Sequence, residues 1–426
     1  MRLISSTALL TAAALVPITA AAGTQTVLHS FLGEGAGDGD TPYAAPVMDA
    51  HGNLYGTTLY GGLYGAGIAY RLHRTSGGSW RETVLWSFGG SGDGSDPEGG
   101  VIVDKKGNLY GGTRFGGNQN CDGIGCGVVY ELSPAGGGTW NETVLYQFPG
   151  MVHGGEGGPV ASLTFDGKGN LYGTTTGDDT CGGGYDGTVF ELKHTSTGWK
   201  KHELHDFCGS DGQAPAYGAL VFDTTGNLYG TTGFGGAGGV GVVFELSPLG
   251  RGQWAFTAIH DFTQEEGGVA DGGLTIDSTG NLYGAEADGG PNIDGAIYEF
   301  SPAGGGQWTE NILHTFNGSP DGLLPFQNPE FDSGGNLFGT TYGGGNIGSC
   351  YDDCGTIYQL TPQGGGRWSE SVVYNFASLG GGADGYQPVA GLVRDAVGNF
   401  YGATTKGGAV QGKRPCDCGA VFEFTP

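Results

Sequence analysis

The sequence predicts an all-β chain, a seven-bladed β-propeller of four-stranded antiparallel blades whose N-terminal strand completes the last blade. Three observations predict it. The motif Asp-x-x-Gly-Asn-Leu-Tyr-Gly, first met at residues 49–56, recurs seven times, with Phe338 and Phe400 replacing the Tyr and the Leu in the last two copies; its Asn stands at Asn53, Asn108, Asn170, Asn227, Asn281, Asn336 and Asn399, and successive copies lie 54 to 63 residues apart. A period that long, carrying strand and turn signals without helix signals, belongs to a radial or solenoidal β array. The two ends of the repeat array are also complementary: residues 25–31 read as a lone outer strand, and the last repeat stops at Phe424 after only its third strand.

The second repeat shows each element in order. Residues 83–88, Thr-Val-Leu-Trp-Ser-Phe, are β-branched and aromatic and read as a strand. A Gly/Asp loop leads to Val101-Ile102-Val103, and the turn from Asp104 to Asn108 reverses the chain. There an Asp side chain can hydrogen-bond the turn amides while Gly107 supplies a positive φ. Leu109-Tyr110-Gly111-Gly112-Thr113 returns, and beyond a variable loop Val128-Val129-Tyr130-Glu131-Leu132 forms the next strand. The turn from Pro134 to Gly138 then opens the following outer strand at Trp140. Apolar residues on both faces of these strands call for sheets stacked between two neighbours. The N-terminal strand can fill the last blade, which leaves only short, protected edges. A β-solenoid would need no such complementarity.

Composition narrows the partners. Ninety-three glycines without a Gly-X-Y period, and 18 prolines, exclude collagen. With 43 acidic against 17 basic residues the net charge is −26, a field that repels nucleic acid and anionic lipid and suits divalent cations and neutral or cationic ligands. Residues 1–22 combine a short basic start, an apolar run and Ala20-Ala21-Ala22, and read as an export signal. The mature chain is then a single propeller domain over residues 23–426, extracellular or periplasmic, with no stable membrane span after cleavage.

The recurring Gly-Asn-Leu-Tyr-Gly-Thr-Thr, followed by Gly-Gly and by Gly-x-Val-Phe-Glu-Leu-x-Pro as at residues 241–248, resembles the bacterial Gloeo/Verruco tandem repeats. The resemblance covers residues 25–426. It implies an exported propeller and brings no assigned chemistry.

Chemistry is expected on the face that carries the long, variable loops, because binding is commonly grafted onto loops of a rigid scaffold. Loops of the form Asp-Gly-x-x-Pro place Asp38, Asp93, Asp211, Asp321 and Asp384 at equivalent points, with Glu156 and Glu265 in the two remaining copies. These seven acids would ring the channel mouth and could hold Ca²⁺; the structural alternative is a set of Asx turns capping a loop before proline. Tyr60, Phe115, Tyr185, Phe234, Tyr342 and Tyr386, with the cations Arg114 and Lys406, are candidate ligand contacts. The eight cysteines, Cys121, Cys126, Cys181, Cys208, Cys350, Cys354, Cys416 and Cys418, crowd the same loops and read as disulfides in an exported chain. Pairing of Cys416 and Cys418 with Cys350 and Cys354 competes with a four-thiolate zinc site. The six tryptophans that open outer strands (Trp80, Trp140, Trp199, Trp254, Trp308, Trp368) read as inter-blade packing. No nucleophile elbow, zinc-protease helix or phosphate loop is present. The expected function is a binding scaffold for a glycan or cell-envelope partner. The alternatives are a polysaccharide lyase or metal-dependent hydrolase at the channel mouth, and a structural surface component.

Overall fold

A computed structural model of the chain describes residues 23–33, 35, 37–89, 92–117, 125–149, 158–177, 186–215, 218–264, 266–268, 272–290, 292–345, 354–377, 382–408 and 417–426. Every regular element among these is a strand. Blade one runs outward through Val47–Met48, Leu54–Thr58, Ile68–Arg74 and Trp80–Ser87. Blades two to six start from inner strands Ile102–Val103, Thr164–Phe165, Val221–Phe222, Thr275–Ile276 and Glu330–Phe331. They end on outer strands Thr139–Gln147, Gly198–Asp206, Gln253–Asp261, Gln307–Thr315 and Arg367–Asn375. Blade seven consists of Val393–Arg394, Phe400–Thr404 and Ala420–Thr425, and its outer strand is Thr24–Ser30. That closing strand pairs antiparallel with the C-terminal one, Gln25 opposite Phe424 and Val27 opposite Phe422. The seven-bladed ring and its closure by the N-terminal strand are therefore both present.

The core is divided among seven clusters, each shared by two neighbouring blades. Tyr55 and Phe88 of blade one meet Val101, Leu109 and Tyr130 of blade two; Phe31, Tyr401 and Val421 of blade seven meet Leu54, Ile68 and Tyr70 of blade one. The outer-strand tryptophans belong to these seams, since Trp140 stands edge-on to Tyr55 at 6.4 Å and Trp80 to Tyr401 at 6.3 Å. Edge-to-face pairs of this kind add about 0.5–1.5 kcal/mol to the burial itself.

The repeated motif has a physical reason at each position. Asp49 Oδ1 accepts the backbone N–H groups of His51 and Asn53, and Oδ2 accepts from the Asn53 amide. Burial alone would raise this carboxyl, yet those bonds and the Tyr55 hydroxyl hold it below the ordinary range. The same balance holds at Asp223, Asp277 and Asp395. The glycine after Leu-Tyr has a different cause. A side chain at Gly111 would collide with the Tyr130 ring, which lies across the strand.

The Asp-Gly-x-x-Pro loops are clamps between blades. The residue before each proline, Thr41, Asp96, Ala214, Leu324 or Gln387, has φ between 49° and 59°, a left-handed conformation that costs a non-glycine about 1–2 kcal/mol. Backbone bonds on both sides hold it there. Asp96 N–H donates to Ala66 O of the preceding blade, and its carbonyl accepts from Arg114 N of its own. The proline ring then fills the space over a glycine of the preceding blade, as Pro97 does over Gly67.

Candidate functional site

The loop acids lie between the outer strands of successive blades, away from the inner strands that line the channel. Asp38 accepts from Leu32 N and Gly39 N at 3.0 and 2.7 Å and faces His29 of the closing strand at 3.4 Å. Asp93 accepts the Trp86 indole N–H at 3.0 Å and Gly94 N at 2.7 Å. Asp211 meets His205 Nε2 at 2.9 Å, Asp321 meets His314 Nε2 at 3.2 Å, and Asp384 accepts from the Tyr374 hydroxyl at 2.7 Å. Each of these five acids thus ties its loop to the outer strand just behind it, one acid to a seam. Glu156 and Glu265 lie outside the described residues; beside His260 it is Glu266 that stands 3.5 Å from Nε2.

Acids that the sequence reading passed over complete these seams. Glu82, Glu142, Glu310 and Glu370 occupy one equivalent outer-strand position, and each has a buried Oε1 without a hydrogen-bond partner. Burial, and then the charge of Asp38, pushes Glu82 up to about 7; burial and Asp321 do the same to Glu370. Glu142 is raised by burial and by Asp93. The signal was available as a repeated acid two places after the tryptophan in the Trp-x-Glu of the outer strand.

The described candidate ligand residues are spread around the ring, over blades one, two, four, six and seven. Tyr60 and Phe234 are half exposed. Phe115 lies under the Arg114 guanidinium at 5.3 Å, and Arg114 Nη1 also donates to Glu98 at 3.3 Å. Tyr342 packs edge-on against Phe326. Tyr386 donates its hydroxyl to Asp417 at 2.7 Å and pairs through its backbone with Lys406. Tyr185, Cys121, Cys181, Cys350 and Cys416 fall outside the described residues. Cys126, Cys354 and Cys418 are buried at the feet of their loops, and Cys208 sits at the end of an outer strand.

Among the described residues, three of the hollows could receive a ligand. The channel end, lined by Tyr43, Glu98, Ser162, Gln327 and Asn328, encloses about 200 Å³, less than the roughly 300–1,000 Å³ usual for small-molecule sites. A groove of about 810 Å³ on the opposite face is bordered by Trp80, but Arg74 covers that ring at 4.9 Å. The third, about 500 Å³, lies on the loop face at the seam of blades one and two and is lined by Leu63, Tyr64, Trp86, Asp93 and Glu142. Leu63 is 77% and Tyr64 62% exposed, and Tyr60 flanks them in the same loop. Of the three, it combines adequate size with an exposed tyrosine ring, and Asp93 and Glu142 lie at its base.

A closed ring of seven four-stranded sheets, five of its seams clamped by a loop acid and proline, is a seven-bladed β-propeller. The Gloeobacter/Verrucomicrobia repeat matches residues 5–185 and 124–348, and the chain belongs to that repeat family. No curated protein matches it in sequence. Among solved structures it is similar to the periplasmic gluconolactonase of Pseudomonas aeruginosa, with 16% identity, TM-score 0.50, and 78% of this chain and 85% of that one covered. It is also similar to a luciferin-regenerating enzyme at 15% identity and TM-score 0.44, covering 80% and 96%. At such identities the likeness concerns the fold alone.

Proposed function

We propose that this chain is an exported, non-catalytic scaffold that binds a neutral glycan in the groove between blades one and two. The carrying observation is the exposed Tyr60, Leu63 and Tyr64 loop beside a groove floored by Trp86, Asp93 and Glu142. Aromatic faces stack on the apolar side of a sugar ring, and carboxylates accept its hydroxyls. A net charge of −26 disfavours anionic polysaccharides. Disulfides staple the glycine-rich loops in this reading, which the lack of a free cysteine among the described residues supports. The enzyme reading has less behind it, because the channel end is small and Arg114 is engaged by Glu98.

A glycan array with wild type and Tyr64→Ala in parallel tests the proposal. Retention of neutral oligosaccharides by wild type, about tenfold reduced in the variant and without new reducing ends, is expected. Equal retention by both proteins, or none by either, contradicts it.

A further inference from the structure

We infer that the seams of blades seven/one and four/five each hold a divalent transition-metal ion, such as Zn²⁺, bound by a histidine of one outer strand, a loop acid and a glutamate of the next outer strand. The sets are His29, Asp38 and Glu82, and His260, Glu266 and Glu310; in each, one ligand atom per residue lies within 4.8 Å of the others. The inference does not depend on the glycan groove, which sits at a different seam.

Four observations carry it. First, His29 Nε2, Glu82 Oε1, His260 Nε2 and Glu310 Oε1 are all buried and have no hydrogen-bond partner. Ligand atoms left unpaired while turned toward one another are costly unless something electropositive lies between them.

Second, the chain contains its own control. The blade three/four seam keeps the histidine, but Phe256 replaces the glutamate and stacks on the His205 ring at 4.3 Å. There His205 and Asp211 close to an ordinary 2.9 Å bond, whereas His29–Asp38 and His260–Glu266 stand at 3.4 and 3.5 Å. Histidine and acid stay apart at two of the three histidine seams that have a third donor with its oxygen unpaired. The blade five/six set, His314, Asp321 and Glu370, is intermediate, with histidine and acid already bonded at 3.2 Å.

Third, the four/five seam breaks the repeat. In six blades the second-strand position is a threonine whose hydroxyl donates to a nearby carbonyl, as Thr58 does to Tyr60 O and Thr232 to Phe234 O. In blade five it is Glu286, only 1% exposed, with Oε1 unpartnered. Its carboxylate lies against Gly289, and the next residue, Gly290, donates its N–H to Glu266 O at 2.7 Å, which sets Glu286 beside the Glu266 loop.

Fourth, the donor set selects the ion. An imidazole nitrogen with carboxylates suits Zn²⁺ and its neighbours, while Ca²⁺ takes six to eight oxygens. Glu286 then acts as a positioning residue behind the blade four/five ligands.

The test is metal retention by the full chain after EDTA stripping, reconstitution with Zn²⁺ or Ca²⁺ alone, and desalting, counted by inductively coupled plasma mass spectrometry. Wild type should retain at least two Zn²⁺ and no Ca²⁺. Glu310→Gln should retain one Zn²⁺ fewer while keeping the metal-free melting temperature, which excludes misfolding as the cause. Glu286→Gln should keep the stoichiometry and weaken that ion by about 10–100-fold, the usual consequence of losing a supporting partner. Failure of wild type to retain Zn²⁺, equal retention of Ca²⁺, or unchanged counts in Glu310→Gln would overturn the inference.

Discussion

Tyr70, Tyr130, Tyr298 and Tyr358 are fully buried with unpaired hydroxyls, and each shares its blade with one of the buried glutamates, Glu82, Glu142, Glu310 and Glu370. Blades three, four and seven place phenylalanine at that tyrosine position (Phe190, Phe244, Phe422) and have Lys201, Phe256 and Gln25 in place of the acid. The two positions change together, so each blade settles this polar pair as a unit. A pH dependence follows. Glu82 and Glu370 are raised to about 7 and Glu286 to about 8, from 4.5. The folded state thus holds these protons more tightly than the unfolded chain, and their contribution is complete below about pH 4.5 and lost as pH rises through 7–8. In EDTA, the melting temperature should fall between pH 5 and pH 8, and Glu286→Gln should flatten the slope. A melting temperature that rises over that range would contradict this. Gly111→Ala should cost about 1–3 kcal/mol in urea unfolding, because the buried Tyr130 ring has no room to withdraw.

At the scale of elements, the clamp loop and the closing strand offer cleaner tests. Ala214 holds φ at 49° with its N–H bonded to Asp186 O of the preceding blade, so Ala214→Gly removes strain while leaving that bond in place. It should stabilise the protein by about 0.5–1 kcal/mol, the relief of left-handed strain less the added chain entropy. Phe31→Ala empties a site that is 1% exposed in the closing seam, with an expected loss of about 3–5 kcal/mol. The elements themselves were legible because each depends on local chemistry: period-two apolar runs, and an Asp whose own turn supplies its hydrogen bonds. The roles of the loop acids were not. Position in the chain puts Asp38 just before an inner strand, but its carboxylate reaches backward to His29, whose strand belongs to another blade. Glu266 beside His260, and Glu286 among threonines, depend likewise on which side chain the neighbouring blade presents.

On the whole molecule, the symmetric positions carry the architecture and the departures from symmetry carry the proposed chemistry. The tryptophans, motif glycines and clamp prolines recur because most seams make the same contacts. Leu63 and Tyr64 in blade one, and Glu286 in blade five, have no such requirement and lie at the sites assigned to glycan and metal. Both assignments presuppose that the ring is closed by its own first strand, since the seven/one seam takes Phe31 from that strand. The most direct measurement of closure is the thermal unfolding of a chain lacking residues 23–31, with and without a synthetic peptide of that sequence. The account expects a large fall in melting temperature, restored by the peptide and not by a scrambled one. A shortened chain that melts with the full-length protein would contradict it.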